Sequence, residues 1–217
     1  MGGTAGRSAA NEYARRCSRR EVQTKAKWGD RLGSVVLALT DEPATTRAWS
    51  TGSAGEARVG RILDSLADVR TLHDRAIPGT QGNIDHLVVG PAGVFVVDAK
   101  NLKGMIRVRD RGGLFRSMLR LYVGRRDCSE LADKVLWQAQ FVEVALDAAD
   151  ADRSIGVTPV LCFADGDWPL LFPPSQFRGV RLEGERSIKR LVSNPIELDT
   201  VSINAIVRFL ADAFPPR

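Results

Sequence analysis

Two apolar runs rich in β-branched residues, Leu87-Val88-Val89 and Val94-Phe95-Val96-Val97, flank Gly90-Pro91-Ala92-Gly93. Such a pair around a Gly/Pro turn predicts a β-hairpin. With the turn centred between Pro91 and Ala92, Val89 pairs with Val94, Leu87 with Val96 and Asp85 with Asp98. Side chains alternate along a strand, so Asp85, Asp98 and Lys100 should share one face. By the same parity His86 lies on the other face, where a buried structural histidine is the expectation.

The rest of the chain reads as alternating helices and strands. Residues 1–7 are Gly-rich, and disorder is expected there. Ser8 to Lys27 predicts a helix that is polar almost all round, so it projects into solvent or lies on a partner. Trp28 to Leu39 is a short helix or packed segment, ended by Asp41-Glu42-Pro43. Ser53 opens a further helix with Val59, Ile62, Leu63 and Leu66 at helical spacing. Strands are predicted at Val69–Arg75, Met105–Arg109, Arg120–Val123 and Val157–Phe163, with an edge strand at Val180–Leu182. Leu131–Leu146 predicts a helix with Leu131, Val135, Gln138 or Phe141, Val142 and Leu146 on one side. Asp199 starts a last helix, with Val201, Ile203, Ile206, Val207, Leu210 and Phe214 as its apolar positions. The pattern implies an α/β domain, a mixed sheet with helices on both faces. A soft boundary near residue 50 separates a basic, largely helical extension (1–50) from the main domain (51–217).

Composition fits that architecture: 217 residues, 44% hydrophobic and 26% charged, suit one domain with an extension. No apolar run reaches the roughly 18 residues of a membrane span, and no apolar stretch follows the N-terminal arginines. Cys17, Cys128 and Cys162 are widely spaced and fit neither a zinc pattern nor a disulfide framework, which points to a reducing, cytoplasmic setting. With only two histidines, a histidine-rich metal site is excluded.

Charge is unevenly distributed. The net +5 is accounted for by residues 1–31, with eight Lys/Arg against three Asp/Glu. Within the neutral remainder, residues 100–126 hold nine Lys/Arg against Asp110 alone. Besides Lys100 these are Lys103, Arg107, Arg109, Arg111, Arg116, Arg120, Arg125 and Arg126. Basic clusters of this kind suit phosphate backbones; each taken singly is also what a solvated surface looks like.

The hairpin carries the candidate chemistry. Asp85 opposite Asp98 places like charges roughly 4.5–5.5 Å apart at Cβ, among apolar neighbours that screen them poorly. A divalent cation explains that arrangement, because Mg²⁺ takes one or two carboxylates and keeps waters for substrate phosphates. The competing explanation is one Asp–Lys ion pair with the second Asp outside the sheet. Under the first, Asp98→Asn should leave metal-free stability level or raise it; under the second it should lower it. Asp165-Gly166-Asp167-Trp168-Pro169 reads as a turn rather than a second metal site.

Gly55-Glu56 followed by Ile84-Asp85-His86-Leu87-Val88-Val89-Gly90-Pro91-Ala92-Gly93-Val94-Phe95-Val96-Val97-Asp98-Ala99-Lys100 resembles the nuclease-related domain, a family of the PD-(D/E)xK restriction-endonuclease-like group. The likeness covers about residues 54–163 and is dense in its first half. It departs from the wider pattern at Ile84, in place of the proline, and at Asp98, in place of the more usual glutamate. The resemblance implies a restriction-endonuclease-like fold and a nucleic-acid phosphodiesterase using Mg²⁺ or Mn²⁺. It implies a site built of Glu56, Asp85, Asp98 and Lys100, with Asp85, Asp98 and Glu56 on the metal and Gln138 holding Lys100 or the phosphate. Taken without the resemblance, Ser53-Ala54-Gly55-Glu56 is a capping-box pattern in which Glu56 only reaches back to Ser53. Two other classes stay open: a non-catalytic nucleic-acid-binding module, and an interaction protein docking on a protein partner through residues 8–27.

Overall fold

The hairpin forms in the register that the two-residue turn dictates. β2 (Asn83–Gly90) and β3 (Gly93–Lys100) pair antiparallel, with Gly90 opposite Gly93, Val89 opposite Val94, Leu87 opposite Val96 and His86 opposite Val97. Nearly every residue of both strands is buried, which makes this the centre of the domain. The computed structural model describes residues 4–39, 44–113, 116–149, 155–194 and 198–217; the side chains of 27–51 lie outside that description, as does the Asp41-Glu42-Pro43 breaker.

In chain order the elements begin with α1 (Arg7–Leu39), α2 (Ala44–Asp64) and β1 (Arg70–Ala76), followed by the hairpin. Next come β4 (Gly104–Asp110), β5 (Leu119–Val123), β6 (Arg126–Asp127) and α3 (Ser129–Ala149). The chain closes with β7 (Val157–Phe163), β8 (Gly166–Asp167), β9 (Gln176–Phe177), β10 (Val180–Gly184), α4 (Glu185–Ser193) and α5 (Thr200–Ala213). The main sheet has the order β1-β2-β3-β7-β10-β9. It is antiparallel from β1 to β3, parallel from β3 through β7 to β10, and antiparallel again at β9. Central β7 is the continuous apolar run its sequence suggests, as a strand flanked by two parallel neighbours needs to be. A smaller sheet, β6-β5-β4-β8, carries the basic segment.

The sheet separates two cores. On one face Val88, Phe95, Val97 and Val160 pack against Val59 and Leu63 of α2 and Ile188 and Val192 of α4. On the other, Leu87, Val89, Val94 and Val96 pack with α3, α5 and the inward side of the smaller sheet, through Val135, Val142, Ile203, Leu210, Ile106 and Leu121. Helices on both faces of a mixed sheet are the α/β architecture that the strand–helix alternation implies, consistent with a restriction-endonuclease-like fold with a helical N-terminus.

Four boundaries differ from expectation. Residues 4–6 are placed rather than loose, with Gly6 buried against Ser53. α1 runs unbroken to Leu39. α2 begins at Ala44, directly after the Pro43 breaker, so Ser53 is mid-helix and caps nothing; its hydroxyl instead donates to the Gly6 carbonyl at 3.3 Å. Contact with the start of α1 outweighs the weak helix propensity of the Thr, Gly and Ser residues there. Last, β10 is not the edge strand, because the two residues of β9 pair outside it.

Candidate active site

Strand parity brings Asp85, Asp98 and Lys100 to one end of the hairpin, on the α3 face. The ladder's last pair is His86–Val97, and the Asp85 carboxylate then accepts the Ala99 amide at 3.1 Å. Asp98 has no exposed surface. The Lys100 ammonium lies 2.5 Å from Asp98 Oδ2 and 3.8 Å from Asp85 Oδ2, so a cation sits between the two carboxylates. Asp98 Oδ1 also pairs with Lys134 Nζ, at 3.1 Å, from α3. Repulsion between two bare aspartates is therefore not what this geometry shows. Asp98 is doubly neutralised, and Asp85 is the acid left short of charge partners.

Titration follows from those partners. Burial opposes the charge of Asp98, but Lys100 and Lys134 prevail and hold its pKa below the ordinary value. Burial and then the nearby Asp98 charge push Asp85 up to about 6. Lys100 is shielded from water, yet the charges of Asp98 and Asp85 raise its pKa, so it stays protonated.

Glu56 reaches the same cleft from α2. Gly55 permits the approach: a side chain there would stand 2.6 Å from Cβ of Asn101, just past the end of β3. Burial and then the charge of Asp85 push Glu56 up to about 8. Together Glu56, Asn83, Asp85, Lys100 and Lys134 line a cleft of about 1180 Å³, to which α1 contributes a further wall. Asp98 lies beneath its floor.

Gln138 is fully buried, but it does not touch Lys100. Its side-chain amide donates to the Asn83 carbonyl at 2.6 Å, which fixes the start of β2 two residues before Asp85. One helical turn earlier, Lys134 occupies the α3 position that faces Asp98. Sequence reasoning passed over Lys134; the signal available was its i, i+4 relation to Gln138.

His86 is buried on the opposite face, as parity requires. Its Nδ1 lies 2.9 Å from Nδ1 of His73, whose Nε2 lies 3.0 Å from Asp64. Burial and then His73 push His86 down to about 3, so it is a neutral structural residue. Asp165 pairs with Arg58 at 2.6 Å, a partner that accounts for it without a metal. Lys103, Arg107, Arg109, Arg111, Arg116, Arg125 and Arg126 are exposed around the smaller sheet, and Arg120 is half-buried beside Asp127. None of the eight lines the cleft.

Among the described residues no three His, Cys, Asp or Glu converge into a ready-made metal cage. The donor set still suits a hard cation: two carboxylates, a third acid in the same cleft, and a position between Asp85 and Asp98 where an ammonium now sits. Mg²⁺ needs only one or two carboxylates and completes its shell with water and phosphate. Among the described residues no helix is long and apolar enough to cross a membrane.

Residues 51–164 match the family model of the nuclease-related domain. No curated protein matches the chain, and no solved structure does.

Proposed function

The chain belongs to the nuclease-related domain family, and from that membership and the carboxylate–lysine cleft we propose that it is a metal-dependent nuclease hydrolysing DNA phosphodiester bonds. The observation that carries the reading is the convergence of Asp85 and Lys100 on the floor of a polar cleft with Asp98 directly beneath them, at the end of an otherwise apolar hairpin. Burying three charged groups there costs free energy that scaffold alone does not repay.

Asp85 and Asp98, with Glu56 beside them, would hold Mg²⁺ or Mn²⁺. When bound, the ion supplies a water of lowered pKa and polarises the phosphate. Hydrolysis adds a water oxygen to phosphorus, breaks one P–O ester bond and delivers a proton to the leaving oxygen. Without metal, the neighbouring carboxylates keep Lys100 protonated. Its role is to donate hydrogen bonds to the phosphate and to offset charge that develops in the transition state. Glu56, in the cleft beside the two aspartates, is placed to orient the attacking water or take its proton. Gln138 acts at one remove, by fixing the Asn83 carbonyl and with it the path of β2 into Asp85. Lys134 restrains Asp98 from the far side.

The basic residues of the smaller sheet supply backbone contacts outside the cleft. Arg109 stands directly opposite Arg120 across β4 and β5, a like-charge pair offset in part by Asp127, 3.7 Å from Arg120. Lys103, Arg107, Arg111, Arg116, Arg125 and Arg126 extend the same surface.

The test is incubation of the purified chain with plasmid and linear DNA, with Mg²⁺, Mn²⁺ or chelator. Metal-dependent cleavage is expected, abolished in Lys100→Ala while DNA affinity in chelator is largely kept. Equal loss of binding and cleavage would reduce Lys100 to a phosphate anchor. DNA binding with no cleavage under any metal would leave a non-catalytic binding module.

A further inference from the structure

The cleft has a second wall that lies outside the family match. The first turns of α1 are fastened to the domain by polar bonds. The Ser8 amide and hydroxyl both reach the buried Asp74 carboxylate, at 2.7–2.9 Å. Asp74 also accepts from the Asn83 side chain at 3.1 Å, so one carboxylate ties α1 to the start of β2. Ala9 is buried, and Ser53 of α2 holds the Gly6 carbonyl.

From that anchor α1 presents Ser8, Asn11, Glu12, Arg15, Ser18 and Arg19 toward the cleft that holds Glu56, Asp85 and Lys100. The spacing of three and four residues is that of one helix face, and apart from Ala9 and Ala14 the residues it turns to the cleft are polar. A helix lying on its own domain normally does so through an apolar stripe. A largely polar stripe facing an acidic, lysine-containing site instead leaves a cleft between two charged walls. Glu12 pairs with Arg16 at 2.8 Å and Arg15 at 3.5 Å, which aligns the arginines along the helix. Arg15 and Arg19 are one turn apart, roughly 6 Å along the axis, comparable to the distance between neighbouring phosphates of an extended strand.

Size then selects the substrate. The cleft, about 1180 Å³ between the start of α1 and the end of the hairpin, is space that one polynucleotide strand can thread, whereas a duplex carries its two backbones on either side of a major groove about 12 Å wide and would have to bring both past α1. Resting on the nuclease reading above, we propose that α1 is the far wall of the substrate channel. The channel admits one polynucleotide strand, whose phosphates Arg15 and Arg19 grip opposite Lys100 and Lys134. A duplex reaches the carboxylates only where its strands part.

The test is equilibrium binding in chelator, using the full chain, a labelled single-stranded oligodeoxynucleotide and the same oligonucleotide annealed to its complement. Tighter binding of the single strand, by about tenfold or more, is expected. The double variant Arg15→Ala/Arg19→Ala should lose about tenfold of that affinity. Its salt dependence should flatten by about 1.4, two contacts at about 0.7 each for single strands. Arg15→Lys/Arg19→Lys should restore most of the affinity. Alanine is the best helix former, so an unchanged circular-dichroism melt excludes loss of α1 as the cause. Equal or tighter duplex binding, or an unchanged salt slope in the alanine variant, overturns the proposal. Metal-dependent cleavage of intact duplex without a single-strand preference overturns it while leaving the nuclease reading standing. Single-strand binding that depends on the two arginines, without cleavage, upholds the channel and removes the enzyme. Absence of any nucleic-acid binding overturns both.

Discussion

Asp98 touches no solvent and carries two ammonium partners, so removing its charge leaves Lys100 and Lys134 facing a neutral amide. Breaking a buried pair from one side costs about 3–5 kcal/mol, and the lower figure applies here because Lys134 is half-exposed and can turn to water. Asp98→Asn should therefore melt clearly lower in chelator. Asp85→Asn should melt level or higher: the side chain keeps an oxygen for the Ala99 amide and sheds a charge that burial opposes. Thermal melts of both variants decide it, and the reverse order of the two would contradict the partner assignment. The alternation alone made Asp98 the strained member, because strand parity reports which face a carboxylate occupies but not which lysines arrive from elsewhere. Lys134 supports a second residue-level expectation. It competes with any cation for Asp98, so Lys134→Ala should tighten Mg²⁺ binding measured by calorimetry and lower metal-free stability, because the buried Asp98 is left with Lys100 as its ammonium partner. Weaker Mg²⁺ binding in that variant would make Lys134 part of the site's support rather than a competitor.

Elements differ in how far their sequences disclose them. The β2–β3 register could be read from Gly90–Gly93 through His86–Val97 because a two-residue turn leaves little freedom, whereas the expected Asp85–Asp98 pair lies past the end of the ladder. Central β7 and the capped start of α5, where Asp199 accepts the Ser202 amide at 2.7 Å, were equally plain. The start of α2 was not, because Ser53-Ala54-Gly55-Glu56 imitates a capping box in the middle of a helix. α4 escaped notice because its nine residues are a short window for a periodicity reading, although Ile188, Leu191 and Val192 stand at helical spacing. The position of α1 could not be foreseen either, since a helix without an apolar face says nothing about where it lies. Gln138 of α3 shows how a side chain serves the site without touching substrate. It projects from the helix to hold Asn83, and Gln138→Leu should lower stability by about 1–3 kcal/mol, the cost of an orphaned buried carbonyl. Because the bond sets the approach of Asp85, cleavage should fall more than DNA affinity in chelator. An equal fall in both, or none in either, would deny Gln138 any part in aligning β2.

At the scale of the whole molecule, the cleft's acids govern how stability depends on pH. Glu56, pushed up to about 8, and Asp85, pushed up to about 6, are both harder to ionise in the folded chain than in the unfolded one. For raised acids the stabilising contribution is complete below their unfolded values, near pH 4, and is lost as pH climbs through the folded ones. Asp98 has the opposite sign: its contribution is present above its unfolded value and disappears only in acid. The metal-free protein should thus be most stable near pH 4–5 and lose roughly 5–10 °C in Tm by pH 8, a fall of a few kcal/mol for a chain of this size. Glu56→Gln should flatten most of the decline above pH 6, where Asp85 has already ionised. Mg²⁺ should oppose the decline in the unaltered chain, because a cation between the carboxylates favours their charged forms and adds RT ln(1 + [L]/Kd) to the folded state. The stabilisation it confers should grow from pH 5 to pH 8 as protons cease to compete for the same oxygens. Melts across that range, in chelator and in Mg²⁺, test the two halves together. A Tm in chelator that stays level or rises between pH 5 and 8 would mean that the acids of the cleft are already balanced without metal, and that the site holds no charge for a divalent ion to neutralise.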